Sequence, residues 1–176
     1  MKKSGKVKLV LPSMKYASAY LKALKEFAKI GEITALGVHV ELKKIDDFKV
    51  YIKRARDNRN GFNLPKGRVP STTYWAVVGN KIVGRVDIRH KLNKNLRVIG
   101  GHIGYTVVPS ERQKGYGTQM LACALPIAKK LGIKNALVTC NATNIASKKI
   151  IEHNGGKLIN KVKKDKILRL HYNIKL

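Results

Sequence analysis

Gly104-Tyr-Thr-Val-Val-Pro-Ser-Glu-Arg-Gln-Lys-Gly-Tyr-Gly-Thr118 is the stretch on which the reading of this chain turns. Residues 105–108 are β-branched or aromatic and predict the end of a strand. Pro109 and Ser110 break it, and from about Gly117 the residues Met120–Leu121, Ala124–Leu125 and Ala128 recur at helical spacing. Between strand and helix lies a loop with Arg112, Lys114 and two glycines one residue apart. Such a loop can cradle a phosphate. Glycines let backbone N–H groups approach an anion, and a helix N-terminus adds roughly half a positive charge. Neither G-x-x-x-x-G-K-[ST] nor a G-x-G-x-x-G opening a βαβ unit is present, so the two commonest phosphate motifs fail on spacing.

Upstream, Val7–Pro12 predicts a first strand, and apolar residues from Met14 to Ala28 predict a helix capped by Ser13 and stopped by Gly31. A second helix is expected from Asp46 to about Arg59, followed by the glycine- and proline-dense loop Asn60–Ser71, whose length suits a binding loop. Strands are expected over Thr72–Val78 and Lys81–His90, joined by the hairpin signal Gly79–Asn80, and over about Ile99–Val108. In the second of these, Val86 and Ile88 point one way, Asp87 and Arg89 the other. Downstream, Pro126 interrupts the helical pattern and predicts a kink, and Gly132 closes it. A short strand over Ala136–Thr139, a helix over Ser147–Asn154 and two strands near Lys157–Val162 and Leu168–Ile174 complete the order β-α-α-β-β-β-α-β-α-β-β. That order gives an α/β (α+β) fold, with a mixed sheet and helices on both faces.

The 176 residues amount to one domain, 1–176, and the 44% hydrophobic content is enough for a packed core. No apolar run reaches membrane-spanning length and the N-terminus lacks a signal-peptide core, so a cytoplasmic protein is expected. Cys123 and Cys140 suggest neither a disulfide framework nor a metal site. Lys plus Arg number 37 against 10 Asp plus Glu, a net charge of +27. This field attracts any anion, but the lysines are scattered and no aromatic-interleaved or helix-turn-helix pattern accompanies them. Nucleic acid is therefore a possible partner and not the favoured one.

Arg112-Gln113-Lys114-Gly115-Tyr116-Gly117 fits the [RQ]-x-x-G-x-[GA] signature of the GNAT N-acetyltransferases, and the chain resembles that family. A second match runs from Val138-Thr139-Cys140 through Asn144-Ile-Ala-Ser147 to Ile151-Glu-His-Asn-Gly-Gly156, in the family's order and separation. The resemblance covers about Thr72–Asn160 and is greatest to a bacterial subfamily of predicted acetyltransferases. It implies a mostly antiparallel sheet whose parallel central strands splay apart. The pantetheine arm of acetyl-CoA would enter that splay, pairing with backbone near Tyr105, Val107 and Val108. The amides of Gln113, Lys114, Gly115, Tyr116, Gly117 and Thr118 would wrap the pyrophosphate, with charge from Arg112 and Lys114. Asn144 would bond the pantetheine, with Ser147 close by. The Tyr105 N–H would stabilise the oxyanion during direct transfer to an amine, with no metal required.

Many family members carry a tyrosine seven residues after the asparagine as general acid, where this chain has Ile151. Tyr105 or Cys140 are the alternatives, besides solvent. The strand before the signature has no Asp or Glu, which leaves His102 as the candidate base. Arg89, with the loop around Pro65–Ser71, and Trp75 are assigned to the acceptor end, where an anionic amine is expected. The acceptor is expected to be a small molecule. A protein N-terminus or lysine is the alternative within the same chemistry, and a non-catalytic basic RNA- or protein-binding module the alternative outside it. A monomer or homodimer suits either.

Overall fold

The computed structural model describes residues 5–32 and 47–176. Strand β1 (Lys8–Val10) leads through a 3₁₀ turn to helix α1 (Ala17–Lys29), and α2 spans Asp47–Asn60. Asp46, expected to begin the second helix, lies outside the described residues. Then come β2 (Ser71–Val78), β3 (Lys81–Arg89), α3 (Lys94–Val98), β4 (Ile103–Val107), α4 (Tyr116–Lys130), β5 (Asn135–Asn141), α5 (Ile145–His153), β6 (Lys157–Lys164) and β7 (Ile167–Lys175). Pro126 lies within an α4 that continues to Lys130. No helix among the described residues is long and apolar enough to cross a membrane.

The strands form two antiparallel sheets, ordered β1-β2-β3-β4 and β5-β7-β6. β4 and β5 are edge strands that share no ladder. They meet at a single antiparallel bridge between Gly101 and Val138, so in place of one mixed sheet with a splayed parallel pair there is a break between two antiparallel sheets. Helices cover both faces, as the alternation of apolar residues requires. On one face α4 and α5 lay Met120, Leu121, Ala124 and Ile151 over Val86, Ile88, Ile103, Val138 and Tyr172, a core shared by both sheets. On the other face, α1 and α2 pack Tyr20, Phe27, Phe48 and Tyr51 against Trp75, Val77 and Ile82. Tyr20 stacks on Trp75 with ring centroids 4.5 Å apart, and Tyr51 does so at 5.9 Å.

The third strand is shorter than expected. Asn93 caps α3 by accepting the Leu96 N–H at 2.9 Å, and Gly100 and Gly101 turn with φ of +109° and +63° before β4 begins at Ile103. A Cβ on Gly101 would collide with the Leu137 carbonyl oxygen, so only glycine lets the two sheets meet here.

Candidate active site

Hydrogen bonds at the two ends of the β3–β4 ladder fix the direction of every amide between them. The Arg89 N–H donates to His102 O at 2.8 Å, and the Val108 N–H to Val83 O at 2.9 Å. In an antiparallel ladder, amides alternate between neighbour and open edge. Gly104 and Thr106 therefore turn theirs toward β3, and Tyr105 and Val107 turn theirs toward the gap beside β5. Val108, expected beside them, does not belong there: its N–H is spent on Val83, its carbonyl accepts from Glu111 N–H at 2.8 Å, and its side chain is buried under α1.

The gap narrows toward Gly101 because His102 closes it. The His102 N–H donates to Leu137 O at 2.7 Å, and its Nδ1 accepts the Leu137 N–H at 2.9 Å. This corrects the assignment of His102 as base. A neutral imidazole accepting at Nδ1 carries its proton on Nε2, so its one lone pair is already used. Desolvation, with Arg97 and Arg89 nearby, holds the ring below the usual imidazole range and so keeps it neutral. His102 ties the sheets together.

Farther along the gap the Tyr105 side chain crosses to α5. Its hydroxyl lies 2.8 Å from Ser147 Oγ and 3.3 Å from Ser147 O. Burial pushes the phenol up to about 12, the Ser147 bond opposing, so it stays protonated at neutral pH. Cys140 lies in the same region, its thiol pushed up by burial and therefore a poor nucleophile. Asn144 caps α5, accepting the Ser147 N–H at 2.9 Å, which leaves its amide NH₂ as donor. Ile151, at the position where the family often has tyrosine, is fully buried in the core.

The glycine loop opens α4 as the sequence predicts. Gly115 is its cap, with φ of +78° and no side-chain bond to the helix terminus. The first helical bond runs from Gln119 N–H to Gly115 O at 3.3 Å, so the amides of Gly115 to Thr118 have no acceptor within the helix. Gln113 also has positive φ, +63°. Arg112, Gln113, Lys114 and Gly115 are exposed, whereas the Tyr116 side chain is buried. Arg112 pairs with Glu32 at 2.5 Å and Lys114 with the buried Glu111 at 3.2 Å; Lys81 also pairs with Glu111. A Cβ on Gly117 would come 2.6 Å from Ile150 Cδ1, so this glycine lets α4 approach α5.

On the opposite face of β3 lies a cavity of about 670 Å³ between α2, the loop after it, β2 and β3. Arg89, Pro65, Arg68 and Ser71, the residues assigned to the acceptor end, line it together. Trp75 does not. It points to this side but is fully buried one layer below, donating its Nε1–H to the cavity-lining Tyr51 hydroxyl at 3.4 Å. Sequence reasoning missed what α2 brings to the wall, including Arg54 and Asp57. The signal was there: of the 14 residues of Asp47–Asn60 only Phe48, Val50, Tyr51, Ile52 and Ala55 are apolar, so most of the helix surface is polar and free to line something. No group of three or more His, Cys, Asp or Glu side chains suited to a metal occurs among the described residues.

Two sheet edges that share no ladder thus lie beside a glycine-capped helix in an α/β fold. A family profile described as an acetyltransferase (GNAT) domain matches residues 41–157, and the chain belongs to that family of acetyl-CoA-dependent N-acetyltransferases. A search of the curated proteins gives no significant match. Among solved structures it is similar to the microcin C7 self-immunity acetyltransferase MccE in complex with acetyl-CoA and AMP. That match has a TM-score of 0.71 at 19% identity and covers 100% of this chain and 96% of that one. It is similar to Mycobacterium smegmatis RimJ in complex with CoA-disulfide, with a TM-score of 0.73 at 18% identity over 98% and 83% of the two chains. It is also similar to RimL, a ribosomal L7/L12 α-N-protein acetyltransferase in complex with coenzyme A, with a TM-score of 0.69 at 13% identity over 99% and 96%.

Proposed function

We infer that the protein transfers the acetyl group of acetyl-CoA directly to the amine of a small acceptor entering through the cavity under α2. The observation that carries this reading is the open edge of β4. Tyr105 and Val107 turn their backbone N–H groups to that edge, while the Val107 carbonyl accepts from Arg112 Nε at 3.4 Å, and the loop then leads to a helix N-terminus whose first amides have no acceptor within the helix. The pantetheine amides would pair with that edge, the diphosphate would lie on the amides of Gly115 to Thr118, and Arg112 and Lys114 would exchange carboxylate partners for phosphate oxygens. The Asn144 amide NH₂, not used by the capping bond, would donate to the pantetheine.

Chemistry then follows from what the chain offers. The Tyr105 N–H stabilises charge developing on the thioester oxygen. As nitrogen bonds the acyl carbon and gives up its proton to solvent water, the C–S bond breaks and the departing sulfur takes a proton. The Tyr105 and Ser147 hydroxyls, bonded to each other, are the donors in reach of the gap. The high Cys140 pKa disfavours a covalent acetyl-cysteine route. A protein N-terminus is the second reading. The likeness to RimL, which acts on a ribosomal protein, favours it, and the cavity's open wall would admit a chain end.

Gly115→Val tests the cofactor site. No atom lies within 4 Å of a Cβ built there, so the fold should survive at a cost of about 1–3 kcal/mol for the left-handed φ. Calorimetric titration should show acetyl-CoA affinity reduced at least a hundredfold. Wild-type affinity in a folded variant would refute the assignment.

A further inference from the structure

The cavity wall has a charge pattern that the transfer reaction does not explain. Among the described residues it carries five cations, Lys53, Arg54, Arg68, Arg85 and Arg89, against two carboxylates, Asp57 and Asp87. Lys53 is matched to Asp57 at 3.2 Å and Arg85 to Asp87, which leaves Arg54 and Arg89 as the cations that face the cavity without a carboxylate of their own. Arg89 is the more deeply set of the two. Its Nη1 donates to the carbonyls of Gly100 at 3.2 Å and Gly101 at 3.0 Å, which hold the guanidinium in place without neutralising it. Burial pushes it below the usual arginine value, Asp87 opposes, and Arg85 and Arg68 add to the effect. A desolvated, crowded cation is relieved by an incoming anion.

Asp87 sets the other end. It accepts the Thr73 hydroxyl at 2.6 Å and pairs across the ladder with Gly104, the residue before Tyr105. Because Gly104 has no side chain, the Arg89 guanidinium can lie over it, 3.7 Å from where a Cβ would stand, which brings that cation next to Asp87's cross-strand partner. Arg89 is two residues along the same face of β3, about 6.6 Å in strand rise. Phe62, 60% exposed, supplies an apolar rim.

We propose that this cavity selects an acceptor carrying both an amine and an oxyanion, carboxylate or phosphate, with the amine held at Asp87 and the oxyanion at Arg89 and Arg54. The proposal rests on the acetyltransferase reading. The 670 Å³ volume suits a small-molecule ligand, and the spacing of Asp87 and Arg89 sets the two charged groups a few bonds apart.

Matched acceptors test it on the full chain with acetyl-CoA, by release of the CoA thiol: ethanolamine against O-phosphoethanolamine, and alaninamide against alanine, with spermidine as a polycation. The oxyanion member of each pair should have at least tenfold higher kcat/KM. Arg89→Gln should reduce that advantage to about twofold or less. Arg54→Gln, on an exposed helix face, should weaken it severalfold without touching the strands. Calorimetric binding of O-phosphoethanolamine to the CoA-loaded chain gives a readout independent of turnover. The neutral members matching or exceeding the anionic ones, spermidine outperforming both, or no heat of binding at 5 mM O-phosphoethanolamine would each overturn the proposal. Acetyl-CoA titrated alone separates the two ideas. Loss of that binding refutes the acetyltransferase reading, whereas retained binding with no preference for the oxyanion members refutes only the acceptor selection.

Discussion

At the scale of single residues, His102 is where chemistry and architecture exchange places. Its type and position on the strand before the signature were legible, but its role was not, because a sequence cannot show that Leu137, 35 residues on, occupies Nδ1. Trp75 was misjudged for a related reason. Alternation gives the face of a strand and not the depth below it, and Tyr20 and Tyr51 cover that ring. Removing the His102 ring orphans a buried amide, so His102→Ala should cost about 1–3 kcal/mol in urea unfolding, and His102→Asn, whose Oδ1 can accept the same bond, clearly less. Both variants should keep the shape of the kcat/KM pH profile, and disappearance of an acidic limb in either would restore His102 as the base. The same ring contributes to stability with a definite sign. Its folded pKa is lowered, so the unfolded chain binds the proton more readily. The wild type should therefore lose stability as pH falls below about 6.5, and His102→Asn should flatten that slope. His90, lowered by burial and then Arg59, acts in the same direction and remains in the variant.

At the scale of elements, the hairpin at Gly79–Asn80, the glycine-capped α4 and the strand–helix–strand order of the C-terminal half were all readable, because each depends on local chemistry. The stretch from Asn93 to Gly101 was not. Its β-branched Val98 and Ile99 suggest a strand, yet Asn93 caps a single helical turn or so and the two glycines redirect the chain. The break between β4 and β5 depends on that redirection. Gly101→Ala would force Cβ against the Leu137 backbone oxygen in an already left-handed conformation. It should cost at least about 3 kcal/mol. Acetyl-CoA affinity should fall as the gap widens, read by denaturation and titration on the same sample, and a near-neutral result would show that the sheets are held together elsewhere.

At the scale of the whole molecule, 37 basic residues meet 10 acidic ones, so most cations have no carboxylate to pair with. The acids are placed with economy: Glu32, Asp57, Asp87 and Glu111 each hold a cation, and Glu111 holds two. Self-repulsion should outweigh these pairs. Raising KCl from 20 to 300 mM should increase Tm, where a protein dominated by ion pairs would lose stability. Composition alone predicts this, whereas the cavity's cationic wall needed the fold to bring β3, α2 and the loop after α2 together. The unladdered edges of β4 and β5 have a consequence beyond catalysis. Two strand edges without a ladder, side by side, are a template for a foreign strand, the place the proposed pantetheine site would fill. Acetyl-CoA would then act as a stand-in strand that closes the template.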